Sequence, residues 1–437
     1  MKTRPSEKLS LIMNTKRCPG LSLTKFLFVC LGVGLIGNAT VASAATYTST
    51  VGTAATGTWS QPSMWVGGVA PTSNLDNVLV FIAPTGTARV TTNNLGTFQL
   101  NRLTLTNNSS ASNAQILSIA GNGLVFVKDS NNVLPTLEFG RSTTNGGRIV
   151  LSAPITVTDA LTVTNSAAAS TQLTNISGAI TNTAGITFNG SGPATLTVGT
   201  GAISGAGGLT FNGSYTSVLT GANTYTGQTV VSAGTLLVNG SHTVSSGVAS
   251  ASAYNVTGGT LGGTGTINLS AVNSGVTIGS GAKLAPGASV ESLAFNLGTG
   301  VLNTSAAVGG ANTGAFVFEL GSSATPGIDY DQVIVSATGA GGLDIGSGLL
   351  EDADFSFSQL AGFGVGVYTL FDTNTTIIGS LGSDVFVDFG GGLTGTISLA
   401  NSNQDLILTV VPEPSASMLL GVGLAGLLWR RRFLRTA

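Results

Sequence analysis

Charge is scarce in this chain: acidic and basic side chains make up 8% of its 437 residues, against about a quarter in ordinary soluble domains. That scarcity excludes a charge-dense nucleic-acid binder, a coiled coil and a helical bundle. Aromatic residues are also few, at 6%, and there are only two cysteines and one histidine. Few charges and few aromatics border on the composition of a disordered chain. Disordered chains, however, are poor in apolar residues, whereas this one is 42% hydrophobic with 63 glycines. Val, Leu and Ile set among Thr, Ser, Asn and Gly suit strands and turns.

The missing residue types also limit the chemistry. Cys18 and Cys30 both lie in the N-terminal segment, so the remainder has neither thiol nor disulfide. Transition-metal sites with two or more His or Cys ligands are excluded, and a histidine-based triad would have to be built around His242 alone. That histidine stands in a Gly/Ser-rich stretch and is expected to be a solvated turn residue. No glycine-rich segment, residues 258–265 included, continues into the Lys-Ser or Lys-Thr helix start of a phosphate loop. No cofactor or metal is expected.

What charge there is lies unevenly. Lys2, Arg4, Lys8, Lys16, Arg17 and Lys25 precede an apolar run at residues 26–36, which ends in Val41-Ala42-Ser43-Ala44-Ala45. This is the order of a secretory signal, with Ala42 and Ala44 as the small residues and the cut by signal peptidase expected after Ala44. The run is short of the roughly 20 residues that span a bilayer. Met1 and Met13 are alternative starts. Four more basic residues, Arg430, Arg431, Arg432 and Arg435, crowd the C-terminus. Between the two ends stand six basic and sixteen acidic side chains, a formal charge of −10. Such a body should repel nucleic acid and anionic lipid.

The C-terminal segment reads Pro412-Glu413-Pro414, then an apolar stretch at residues 416–429, then Arg430-Arg431-Arg432. As a helix the apolar stretch would be about 21 Å long, shorter than the roughly 30 Å hydrocarbon core. In order and spacing the segment resembles the PEP-CTERM sorting signal of Gram-negative bacteria. The resemblance implies transient insertion in the inner membrane, processing by exosortase near Pro412, Glu413 and Pro414, and release or attachment of the body at the cell surface. A plain single-span tail anchor is the alternative.

Between the signals, short apolar runs alternate with Gly, Asn and Ser turns. Ile186-Thr187-Phe188 and Leu209-Thr210-Phe211 both lead into Asn-Gly-Ser, at Asn189 and Asn212, and the tripeptide recurs at Asn239. A second series runs Gly234-Thr235-Leu236, Gly259-Thr260-Leu261 and Ala282-Lys283-Leu284. A period near two dozen residues with strand patterning predicts an all-β parallel β-helix, or β-solenoid, of on the order of 15 coils of two or three strands. One coil cannot close a core, so stacking must supply the stability. The segment Gly221-Ala222-Asn223-Thr224-Tyr225-Thr226-Gly227, continuing through Gly234-Thr235-Leu236, resembles the autotransporter-associated β-strand repeat over about residues 219–290. A true autotransporter would end in a membrane barrel, and here the sorting tail stands in its place.

Trp59 and Trp65, on a Gly/Pro-rich loop, are expected to cap the first coil, with a sugar-stacking platform as the sharper reading. Asp329 with Asp331, and Glu351 and Asp352 with Asp354, place acids two or three apart, a spacing that suits a cation or an acid and base pair. Solvated acids keeping a low-charge body soluble are the plainer expectation, followed by weak calcium binding.

The expected organisation is a signal peptide at 1–44, a β-solenoid body at 45–300, a distal β-rich closing region at 301–410, and the sorting segment with its short transmembrane helix at 411–437. The expected function is that of a non-enzymatic, structural or adhesive protein of the cell surface or extracellular matrix, associated with exopolysaccharide and biofilm. A polysaccharide lyase or glycosidase on the same scaffold and a sugar-binding adhesin are the alternatives.

Overall fold

Alternation dictates the architecture. Val78–Ala83 shows alternate side chains buried, as do most strands after it, and a period of two puts one face inside and the other toward solvent. The computed structural model describes residues 44–50, 56–83, 88–108, 116–140, 147–167, 173–247, 252–287, 289–309 and 313–413. The signal segment with Ala42, the apolar tail, Pro414 and Arg430 to Arg432 lie outside them.

The described residues form strands and three short 3-10 turns. The chain visits three faces in rotation: a 13-stranded sheet, a 12-stranded sheet, and a third face built from a 5-stranded and then a 9-stranded sheet. Apart from a break on the third face and the C-terminal end, strands pair in parallel with their counterparts one coil later, an arrangement consistent with a β-solenoid. The 23-residue series falls in register, Ile186 opposite Leu209 and Phe188 opposite Phe211. So does the second, with Thr235 opposite Thr260 and Thr260 opposite Lys283.

Register converts sequence repeats into ladders. Inside the 13-stranded sheet, Leu103, Leu137, Val163, Phe188 and Phe211 lie one above another and are buried. Outside it, Thr136, Thr162, Thr187 and Thr210 form an outward row. At the corner, Asn212 Nδ2 donates to Asn189 Oδ1 at 3.2 Å. Asn239 does not join them: it follows the 12-stranded-sheet strand Thr235–Val238, at a different corner, where its N–H donates to the carbonyl of Leu219. The third Asn-Gly-Ser is therefore not a repeat of the first two in space.

Corners need glycine where the chain passes close to the coil before. At Gly190, φ is +116°, and a Cβ would lie 2.2 Å from the carbonyl oxygen of Asn165. The third face changes sheets at Asn223, whose Oδ1 accepts the N–H of Ile203 at 3.0 Å and replaces a ladder bond with a side chain.

At the N-terminal end the two tryptophans close the first coil. Trp59 and Trp65 are 0% and 1% exposed, meet edge to face at 6.1 Å, and pack on Phe81. Trp65 Nε1 donates to the carbonyl of Trp59 at 2.8 Å. With both rings inside, neither offers a face to a sugar, which removes the stacking platform.

At the other end, parallel pairing continues past residue 301, with Leu302 opposite Leu343 and Phe318 opposite Phe357. It then gives way to an antiparallel meander. Gly366–Thr373 pairs with Asp405–Pro412, which pairs with Leu393–Ala400, which pairs with Phe386–Gly390. Antiparallel strands with tight connections can end a parallel stack without another coil.

Candidate functional site

The segment singled out by the sequence for processing starts inside this meander. In Asp405–Pro412, Leu406, Leu408 and Val410 point inward, while Val411, Pro412 and Glu413 are exposed. Up to Val410, paired with Gly366, the strand has neighbours on both sides. Beyond it only one neighbour remains, with Leu393 opposite Pro412 and the Glu413 N–H donating to the Gly392 carbonyl at 2.8 Å. That last bond makes 392 and 413 a hydrogen-bonded pair, so 393 and 412 are a non-hydrogen-bonded one. Pro412 therefore sits where its missing N–H faces away from the partner strand, a position a sheet tolerates. Gly392 and Leu393 were not among the expected site residues, although the Gly390-Gly391-Gly392 run is a legible turn signal.

At the opposite end, Ala44 is exposed, two residues before the first strand, Thr46–Thr48.

The histidine corrects its sequence reading. His242 is fully buried in the strand Ser241–Thr243, on the inner side of the third face. Its ring stacks on Tyr225 with centroids 3.9 Å apart; Nδ1 lies 2.7 Å from the Tyr254 hydroxyl and Nε2 lies 2.9 Å from the Tyr225 carbonyl. A carbonyl only accepts, so Nε2 carries the proton, Nδ1 is the acceptor and Tyr254 donates. Burial lowers the imidazole pKa from 6.5 to about 4, against the opposing hydrogen bond to the Tyr225 carbonyl, and burial raises both tyrosine hydroxyls.

The acids also depart from expectation. Asp329 lies in a turn before the strand Gln332–Ala337, so it and Asp331 do not share a strand face. Asp331 is 1% exposed; its Oδ1 accepts the Glu291 N–H at 2.9 Å and its Oδ2 the Glu319 N–H at 2.7 Å. Burial pushes its carboxyl up to about 7, while these two N–H donors act the other way. Asp354, equally buried, repeats the device: Oδ1 takes the Gly309 N–H and Oδ2 the Glu351 N–H, at 2.8 and 2.9 Å. Burial raises this carboxyl as well. Both aspartates tie distant chain segments together, and neither is a solvated surface acid. Glu351 Oε1 accepts the Ser383 N–H at 3.2 Å. Among the described residues no group of three His, Cys, Asp or Glu is placed to hold a metal ion.

A model of the PEP-CTERM protein-sorting motif matches residues 410–432. The chain thus carries this motif, which implies export to the cell surface and processing by exosortase. The match begins at Val410, within the last strand. No curated protein and no solved structure matches the chain.

Proposed function

We propose that this chain is a non-enzymatic, structural or adhesive β-solenoid of the cell surface, sorted by exosortase and associated with an exopolysaccharide matrix or biofilm. Its work is passive: the folded body displays outward rows of short uncharged side chains, Thr136, Thr162, Thr187 and Thr210 among them, to polysaccharide, to other cell-surface components or to neighbouring copies. On this reading residues 219–290 are an autotransporter-passenger-like stretch, and the apolar tail holds the body at the inner membrane only until it is cut. The observation that carries the reading is the join itself, a sorting motif at 410–432 beginning in the strand that closes a parallel ladder. The buried, backbone-bonded state of Asp331 and Asp354 favours it over carboxylate catalysis at those positions.

Mass spectrometry of the protein recovered outside the cell, with and without exosortase in the host, tests it. The expected product starts after Ala44 and ends near Pro412 to Pro414. Material that keeps Trp429 to Ala437 in the presence of exosortase overturns the sorting reading. A matching deletion strain that builds the same quantity of matrix as its parent overturns the matrix role.

A further inference from the structure

We propose that the tip of the glycine hairpin, residues 390–393, clamps the sorting junction, so that removal of the tail waits on the opening of this tip. The inference rests on the sorting reading above and adds to it the element that controls access.

The motif begins at Val410, and the sheet holds the chain through Glu413. A processing enzyme that takes an extended peptide grips it largely through main-chain hydrogen bonds. Two edges of the strand could serve. On the side of Gly366–Thr373 the neighbour ends opposite Val410, so the edge beyond is open. By the alternation of the ladder, the residue whose backbone groups face that side is Pro412, which has a carbonyl and no N–H. A strand adding there would find an acceptor and no donor. On the other side the groups of Val411 and Glu413 face the hairpin: Val411 is paired with Thr394, and the Glu413 N–H is held by Gly392 at 2.8 Å. The edge with both donors and acceptors is the occupied one, so productive binding requires the hairpin to leave it.

The glycine turn is built to open. Gly390, Gly391 and Gly392 all have left-handed φ, at +67°, +65° and +79°, and a Cβ on any of them would meet nothing within 4 Å. The strand Phe386–Gly390 is the last of its sheet among the described residues. Directly before the tip, Phe389 packs on Phe363 and Phe357, ring centroids 4.8 and 5.7 Å apart, and its carbonyl accepts from Gln359 Nε2 at 3.0 Å, which confines any opening to the glycine turn. Leu393 packs against the core, whereas the bond from Glu413 to Gly392 lies at the exposed end of the ladder, and such terminal backbone bonds belong to the low-stability end of a fold and open locally without global unfolding.

The test follows loss of the tail over time, by mass spectrometry, in a host that has exosortase. Two variants free the junction by different means: a Gly-Ser-Gly-Ser insertion between Val411 and Pro412, and Gly392→Pro, which forbids the positive φ of the tip while leaving every motif residue in place. The tail should disappear about two- to tenfold faster from both, the range set by one exposed backbone hydrogen bond. Rates equal to the parent in both variants, or slower ones, overturn the clamp while leaving sorting intact. A tail retained by the parent and both variants overturns the sorting reading, and the clamp with it.

Discussion

Phe188 and Phe211 stack with ring centroids 4.8 Å apart and planes 5° from parallel, because their strands pair in register one coil apart. Both are almost fully buried, at 1% and 2% exposure, so each ring is floor or ceiling to the other. Phe211→Ala would open a cavity between coils and should cost about 3–5 kcal/mol, while Phe211→Leu, which keeps most of the volume, should cost far less. Urea unfolding followed by circular dichroism would read the difference. An alanine variant with the parent's midpoint and slope would show that the rungs do not rely on one another.

Glycine is required at corners only where backbone meets backbone. Gly190 and Gly68 both have positive φ, at +116° and +65°, but only at Gly190 would a Cβ run into a neighbouring coil, 2.2 Å from the Asn165 oxygen. Gly68→Ala should therefore cost about 1–2 kcal/mol, the strain of the left-handed backbone alone. Gly190→Ala should cost clearly more and lower the thermal midpoint further. Equal midpoints for the two variants would mean that the close approach is not what selects glycine.

The pairing of rungs was legible in the sequence because a period of 23 with strict alternation leaves few registers that bury the apolar side. Ile186 and Leu209, or Thr260 and Lys283, could be aligned from their flanking residues alone. Asn239 misled because Asn-Gly-Ser marks a tight corner on any face, and the tripeptide says nothing about which corner. His242 misled for a related reason. Its Gly and Ser neighbours read as a turn, whereas its partners Tyr225 and Tyr254 lie 17 and 12 residues away and meet it only once the third face is folded. Asp331 and Asp354 escaped because their ligands are backbone N–H groups, which a sequence does not display. At the sorting junction the motif itself was plain, but the strand that holds it is paired with residues 393–400, and that pairing depends on the meander.

The burial of Trp59 and Trp65 predicts a stability effect in place of a binding one. Trp65→Ala removes a ring that packs on Tyr47, Trp59 and Phe81 and also the donor to the Trp59 carbonyl. A loss of about 3–5 kcal/mol is expected, concentrated at the N-terminal coils. Hydrogen exchange should show faster opening of Val78–Ala83 than of strands in the C-terminal half. Retained stability with selective loss of glycan binding would instead restore the platform reading.

His242 sets an acid limit on the fold. Its folded pKa of about 4 lies below the ordinary 6.5, so its contribution is fully present above pH 6.5 and is lost as pH falls toward 4. The unfolded chain takes up a proton in that window and the folded one does not. At about 1.4 kcal/mol per pH unit the loss is on the order of 3 kcal/mol. Gln in place of His242 supplies an acceptor for Tyr254 and a donor for the Tyr225 carbonyl without titrating. His242→Gln should therefore fold at neutral pH and lack this acid-side loss, as read from unfolding midpoints between pH 4 and 6.5.

Asp331 works in the opposite direction over almost the same range. Its carboxyl is raised from 3.8 to about 7, so its contribution is fully present below pH 3.8 and is lost as pH rises toward 7, where the unfolded chain is ionised and the folded one resists. That rise already includes the opposing pull of the two N–H donors from Glu291 and Glu319, and it corresponds to a loss on the order of 4 kcal/mol. Between pH 4 and 6.5 the two groups oppose each other, and Asp354, whose carboxyl burial also raises, adds to the side that falls with pH. His242→Gln removes the term that rises with pH and should leave stability falling as pH increases. Asp331→Asn removes one falling term and leaves that of Asp354. It should make the slope of stability against pH more positive than the parent's, on a baseline lowered by about 1–3 kcal/mol because an amide offers one acceptor to two buried N–H donors. Slopes displaced from the parent's in the same direction by both variants would refute this opposition, since burial of an acid and of a base must push stability in contrary directions as protons are added.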